Sequence, residues 1–146
     1  IDLSGNRITD LSSVIDLPVT VKSLNFENNI LRDITPLAEY AAKLSGQSTI
    51  GQTGLETLNL SNNHISRLDA LAKFQSIKNL ALARNDITDI TALSQLKLQG
   101  LDLSYNQFKD ISPLHIDTDS KPIKIDFSIM LEGTPFVDLQ FIMPGN

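Results

Sequence analysis

Three consecutive segments of the chain repeat one pattern of apolar residues, and this repetition constrains the fold more than any other feature. They are LETLNLSNNHISRLDAL at 55–71, IKNLALARNDITDITAL at 77–93 and LQGLDLSYNQFKDISPL at 98–114. All three follow the template L-x-x-L-x-L-x-x-N-x-I-x-x-I-x-x-L, and their asparagines are spaced by 22 and then 21 residues. A fixed period of this length predicts a solenoid, in which copies of one unit stack on each other.

Two earlier segments follow the same template. Residues 1–14 enter it at the second apolar column, and residues 21–37 cover it nearly in full. The next step is longer, because residues 38–54 are inserted before the third turn. Good helix formers at 38–44 predict two helical turns, and the Gly, Ser, Gln and Thr that follow predict an exposed loop.

These segments define the expected domain organisation. Residues 1–120 form the solenoid, with turns near 1–20, 21–37, 55–76, 77–97 and 98–120 and the insertion at 38–54. Residues 121–146 keep apolar residues but lose the asparagine, and we interpret them as a degenerate closing turn or C-terminal cap. The alternative is that they are the first strands of a following domain. The fold class is therefore α/β, with about six coils.

The apolar columns predict where each turn places its backbone. A short strand occupies the second to seventh template positions, with its leucines inward, so stacked strands form one parallel sheet on the concave side. Burial of each Leu or Ile side chain stabilises by about 1.5 to 3 kcal/mol. A lone coil cannot shield both of its sides, so only stacking forms the core.

After the strand the chain turns inside the solenoid, where backbone donors and acceptors have no strand partner. An asparagine amide both donates and accepts, so it can satisfy such groups. We predict a buried structural asparagine ladder, formed by Asn6, Asn29, Asn63, Asn85 and Asn106.

The convex side has its own pattern, in DITPL at 33–37, DITAL at 89–93 and DISPL at 110–114. Thr or Ser followed by Pro is typical of a helix N-cap followed by proline at the first helical position. These segments predict short 3-10 or helical turns on the convex face.

Composition excludes several classes of function. The net charge is −5 and the pI is about 4.8, so the basic stripe that binds nucleic acid is missing. The chain has no cysteine, and no apolar run approaches the roughly 18 residues of a membrane span. Because Ile1 already stands in the middle of a repeat, the first turn lacks its first column and a cap. We expect the chain to continue upstream or to associate through this uncapped N-terminal edge.

Motifs for other chemistry are incomplete. Residues 46–53 have the glycine frame of a phosphate loop, but Gln52 stands where the lysine belongs. His64 and His115 have no second metal ligand at a suitable spacing. The linker acids Asp117 and Asp119 lack the glycine and the distal glutamate of a calcium loop. We therefore predict no catalytic residue, cofactor or metal, and no enzyme.

The outward strand positions are the remaining candidate site. They are small and polar with an acidic tendency, and Arg84 and Tyr105 lie just beyond the strands on neighbouring turns. Tyr and Arg are favoured at the energetic centres of interfaces. The alternative is that these residues only solvate the sheet. The predicted partner-binding set is Asn25, Glu27, Asn59, Asn79, Arg84, Asp102 and Tyr105.

Five turns with N-x-I followed by D-I-x-x-L or a near variant resemble the 22-residue leucine-rich repeats of bacterial internalins. A similar class of repeat occurs in the leucine-rich regulatory subunit of eukaryotic protein phosphatase 1. The resemblance covers residues 1–114 and implies a curved, non-catalytic scaffold that binds a protein on its concave face. We expect a recognition module at a bacterial cell surface or in a secreted protein. Two alternatives stay open: a cytoplasmic regulatory subunit that docks an enzyme such as a phosphatase, or a structural spacer.

Overall fold

The computed structural model describes residues 1–46 and 54–114, together with the backbone of residues 124–125. Five short strands form one parallel sheet in the order β1-β2-β3-β4-β5, so each turn places its strand beside that of the previous turn. Asp2 of the first turn makes a parallel bridge to Asn25. The strands are β1 (Ser23–Asn25), β2 (Thr57–Asn59), β3 (Asn79–Ala81), β4 (Gly100–Asp102) and β5 (Lys124–Ile125).

The register of the sheet matches the predicted columns. Leu24 pairs with Leu58, Leu58 with Leu80, and Leu80 with Leu101. All four leucines are buried, since alternate strand residues point to opposite faces. The residues on either side of them therefore face outward, and these outward strand positions form what we call the concave face.

The opposite side carries short helices. Four 3-10 helices span Ser12–Asp16, Asp69–Lys73, Thr91–Gln95 and Ser112–Leu114. In the second turn an α-helix, α1 (Pro36–Gly46), takes this place and packs against the 3-10 helices of the first and third turns. The predicted helix at 38–44 is thus confirmed, with longer bounds. Its predicted loop continuation at 47–53 lies outside the described residues.

The capping prediction is correct in the second turn and wrong in the fifth. Helix α1 begins at Pro36, so Thr35 precedes it as predicted. Ser112, however, lies within its 3-10 helix instead of before it. In both turns the aspartate of the motif accepts a hydrogen bond from the backbone N–H two residues further on: Asp33 from Thr35 at 2.8 Å and Asp110 from Ser112 at 2.9 Å. The aspartate therefore holds the start of the convex turn, whether or not the residue it binds is itself helical.

One continuous core runs through the described turns, from Leu11 to Leu114. Tyr40, Phe74 and Phe108 are the largest side chains buried in it. Parallel strands and short 3-10 turns confirm the predicted α/β solenoid. The predicted number of about six coils stays open, because the proposed closing turn at 121–146 is described only at the backbone of β5.

Candidate protein-binding face

Behind the strands, four asparagines join neighbouring turns. The Asn85 side-chain NH2 donates to Leu82 O at 3.1 Å in its own turn and to Leu60 O at 3.0 Å in the turn before. Its Oδ1 accepts from the Ile65 N–H at 3.0 Å. This pattern recurs at each of the four buried positions, Asn29, Asn63, Asn85 and Asn106.

Asn6 differs from these four because it is exposed at the edge of the stack. Its NH2 group donates to Leu3 O and Ser4 O, both in its own turn. The asparagines of the later turns satisfy backbone groups of two turns at once, whereas Leu3 and Ser4 both belong to the turn of Asn6 itself.

The residue before each of these asparagines has a left-handed backbone conformation. We call this set the rim row, and its φ angles lie between 54° and 67°. Only glycine and, less readily, asparagine adopt this conformation at low cost. This backbone conformation therefore favours Gly or Asn, and three of the five positions have one of these two residues. The rim row consists of Gly5, Asn28, Asn62, Arg84 and Tyr105.

Arg84 and Tyr105 contact each other across the fourth and fifth turns. The Arg84 guanidinium carbon lies 4.0 Å from the centre of the Tyr105 ring, which is a cation–π contact. Arg84 is exposed and Tyr105 half-buried. Two steps earlier, between the second and third turns, the Asn62 amide donates to the Asn28 side-chain oxygen. The rim row thus changes from small amides to a large stacked pair.

Several predicted binding residues also organise the concave face itself. The Oδ1 atoms of Asn25, Asn59 and Asp102 each accept the backbone N–H two residues further on, at 3.0 Å. The Asn59 NH2 group in addition donates to Glu27 Oε2 at 3.1 Å. Part of the polarity of this face therefore holds the strand ends in place.

A shallow depression of about 310 Å³ lies in the middle of the concave face. It forms where Ala81 and Gly100 provide almost no side chain. The Asn79 side chain lies over Gly100, since a Cβ at this glycine would be 2.8 Å from Asn79 Oδ1. Asn59 and Asp102 line the same depression. The structure thus brings three of the predicted binding residues together here, with Arg84 and Tyr105 three residues beyond Ala81 and Asp102.

A charged group occupies the margin of the face where each strand begins. Lys78 Nζ lies 2.8 Å from Glu56 Oε2, and Lys22 Nζ lies 3.9 Å from Glu56 Oε1. The two lysines therefore have a glutamate between them, and these charges pair within the protein.

The other candidates stay apart from this face. His64 lies 3.8 Å from Asp86, and both side chains are about half exposed. Across residues 1–46 and 54–114, no group of three or more His, Cys, Asp and Glu could hold a metal ion. Over the same part of the chain, no helix has the length and apolar character to cross a membrane. His115, Asp117 and Asp119, and positions 47–53 of the phosphate-loop frame, lie outside the described residues.

Comparison with known proteins agrees with this geometry. Two leucine-rich-repeat family models match the chain: one for two repeat copies, over residues 53–95, and one for a single repeat, over residues 97–118. No curated protein sequence matches it.

Two solved structures from Listeria monocytogenes are similar in fold. Internalin C2 aligns with a TM-score of 0.64 and 27% identity, covering 85% of this chain and 50% of that one. Internalin inlF aligns with a TM-score of 0.54 and 23% identity, covering 91% and 39%, and at that identity it supports the fold alone. The chain thus spans half or less of the length of these internalins.

The stacked parallel strands, the buried asparagines and the two family matches define a leucine-rich-repeat solenoid, a class of protein–protein interaction module that is typically non-enzymatic. Within this class the chain is similar in fold to internalin C2.

Proposed function

We propose that the protein binds a protein ligand on its concave face, with the Arg84–Tyr105 pair at the centre of the contact. The observation that carries this proposal is the position of the pair. Both residues have a positive φ in the rim row, where the second and third turns have asparagine.

Stability alone does not favour these two residues. An L-residue other than Gly or Asn in the left-handed conformation costs about 1 to 2 kcal/mol. An exposed cation–π contact returns only about 0.5 to 1 kcal/mol. Asparagine in place of Arg84 and Tyr105 would form the same turns with less strain, as Asn28 and Asn62 do. Arg and Tyr are also the residue types that dominate binding energy in interfaces.

The surroundings leave room for a ligand. The outward positions before Arg84 in its turn are Ala81 and Ala83, and Gly100 stands beside Asn79 on the neighbouring strand. A ligand can therefore lie in the depression and contact the pair at its end. Asn25 and Glu27, on the other side of Asn59, would extend the contact towards the first turns.

The test compares protein capture from a cell extract by the wild type and by the double variant Arg84→Asn plus Tyr105→Asn. Asparagine keeps the left-handed turn, so the variant removes the two side chains without disturbing the backbone. We expect the captured ligand to be lost. Arg32→Asn is the matched control, because it removes an exposed arginine away from the concave face. Undiminished capture by the double variant would refute the proposed surface.

A stability measurement makes this result interpretable. Relief of strain equals or exceeds the loss of the cation–π contact, so Arg84→Asn should leave the free energy of unfolding unchanged or raise it by up to about 1.5 kcal/mol. Urea denaturation of the variant and the wild type measures this change. A clear loss of stability would mean that weakened capture reflects unfolding.

We also propose that the protein acts at a bacterial cell surface or after secretion, as its internalin-like type suggests. Protease treatment of intact cells that produce it, followed by detection with an antibody, separates this from the cytoplasmic alternative. Degradation on intact cells, or recovery from the medium, supports the surface location. Protection until the cells are lysed would favour an intracellular regulatory subunit.

A further inference from the structure

We infer that the Arg84–Tyr105 pair receives a carboxylate group of the ligand, so that the partner presents an Asp or Glu side chain to this point of the rim row. This inference rests on the proposed function and names the chemistry of its central contact.

The first argument is the way in which the arginine is held. The Arg84 guanidinium carbon lies over the Tyr105 ring, 4.0 Å from its centre, so the ring restricts where the guanidinium can lie. The backbone is fixed as well, because the Arg84 N–H donates to Ser104 O at 2.8 Å and φ is 54°. A guanidinium is planar, and its N–H groups lie in that plane. This planar fork matches the two oxygens of a carboxylate.

The second argument is the charge of the neighbouring groups. The lysines at the margin pair with Glu56. The acids of the face are also engaged, since Asp102 Oδ1 accepts from Ser104 and Glu27 Oε2 accepts from Asn59. In the described part of the chain, by contrast, Arg84 forms no ion pair with a carboxylate. It is therefore a positioned cation on a face whose other charges are largely satisfied.

The third argument is access. Ala81 and Ala83 precede Arg84 in its own turn, and Asp102 and Ser104 precede Tyr105 in the next, so only short side chains stand between the depression and the pair. An extended segment of the ligand can therefore approach closely and direct an acidic side chain to Arg84. The carboxylate of Asp86, two residues after Arg84, lies 3.8 Å from Nδ1 of His64 in the third turn.

A titration followed by NMR tests the site without knowledge of the ligand. The probe is the N-acetyl, N-methylamide derivative of glutamate, and the matching glutamine derivative is its neutral control. The measured signals are the arginine side-chain Nε–Hε resonances. Arg7 and Arg32, which are also exposed, serve as internal controls within the same sample.

We expect the Arg84 signal to respond to the glutamate derivative at a concentration about fivefold lower than the Arg7 and Arg32 signals, and not to respond to glutamine. Tyr105→Asn should remove this difference, because the ring no longer orients the guanidinium. Equal responses of the three arginines in the wild type, or an Arg84 response unchanged by Tyr105→Asn, would overturn the inference.

The two proposals fail in different ways. If the three arginines respond equally but the double variant still loses the captured protein, the concave face binds its ligand by other contacts and only the carboxylate inference falls. If capture by the double variant is undiminished, the proposed surface itself is wrong.

Discussion

Asparagine has two different roles in this protein, and burial separates them. Asn85 is 4% exposed and satisfies backbone groups of two turns, whereas Asn79 is exposed on the concave face. The sequence distinguishes the two by template position alone. The period identifies the first kind, since an asparagine that recurs at one template position in every turn has a structural explanation.

The buried role leads to a stability prediction. Asn85→Ala removes the acceptor for the Ile65 N–H and the donor to the Leu60 and Leu82 carbonyls. Unsatisfied buried groups of this kind cost about 1 to 3 kcal/mol. We expect a loss of that size in the free energy of unfolding, measured by urea denaturation. Asn6→Ala, at the exposed edge, should cost clearly less, and an equal loss at both sites would contradict the structural role.

Single residues also show where sequence reasoning stops. The pairs Gly5-Asn6, Asn28-Asn29 and Asn62-Asn63 contain the signal for a left-handed residue before each asparagine of the ladder. The contact between Arg84 and Tyr105 is different, because it depends on how two unusual residues direct their side chains from that conformation. Their proximity on neighbouring turns followed from the template, but their stacking did not.

At the level of elements, the convex turns depend on aspartates for which the repeat template predicts no role. Asp89 Oδ1 accepts from the hydroxyl of Thr91 at 2.6 Å and from its backbone N–H at 2.8 Å. Four exposed aspartates have a lowered pKa because each accepts hydrogen bonds from the residue two positions later. The larger effect on the pKa comes from the side-chain hydroxyl of that residue, and the smaller one from its backbone N–H. These aspartates are Asp10, Asp33, Asp89 and Asp110.

These pKa shifts give a pH dependence with a definite sign. A carboxylate with a lower pKa in the folded state stabilises the protein above its unfolded pKa, which is about 3.9, and this contribution is lost as the pH falls through the folded pKa. We therefore expect the urea midpoint of the wild type to fall as the pH decreases below about 4. Replacement of all four aspartates by asparagine should flatten this part of the profile. An unchanged profile in that variant would assign the acid sensitivity to other groups.

Among the convex elements of residues 1–46 and 54–114, helix α1 is the one that the repeat template does not contain. Its Tyr40 hydroxyl donates to Pro18 O at 3.0 Å, and Lys43 Nζ donates to Ile15 O at 2.7 Å and Leu17 O at 3.0 Å. The helix thus holds the end of the first 3-10 helix and the chain that follows. Composition predicted the helix but not this packing, because the template has no position for its partners.

A lysine variant tests this role of α1. Lys43→Ala leaves the Ile15 and Leu17 carbonyls without their charged donor, and hydrogen bonds to charged groups contribute about 1.5 to 3 kcal/mol. Because the site is only partly buried, we expect the lower end of that range. Hydrogen exchange should become faster in residues 12–25 and stay unchanged in the fourth and fifth turns. The exposed Lys97→Ala is the control, and faster exchange throughout the chain would contradict a local role.

The whole molecule is a linear stack in which each turn is stabilised by the turns beside it, because it buries its leucines against them. A middle turn has a neighbour on both sides. The first turn is less shielded from solvent than the second. Ile1 is 51% and Leu3 36% exposed, whereas the equivalent residues of the second turn, Leu24 and Phe26, are buried. Period and template were therefore sufficient to predict the architecture, whereas the differences between turns depend on side-chain contacts that repetition does not specify.

This arrangement predicts that the effect of a cavity depends on its position in the row. Leu82, fully buried in the fourth turn, has stacked turns on either side, and Leu→Ala at such a site costs about 2.7 to 5 kcal/mol. Leu82→Ala should therefore speed hydrogen exchange in the third, fourth and fifth turns together. Leu11→Ala, in the first turn, should cost less and affect mainly residues 1–25. If both variants accelerated exchange equally along the chain, the turns would unfold as one indivisible unit and the nearest-neighbour description would be wrong.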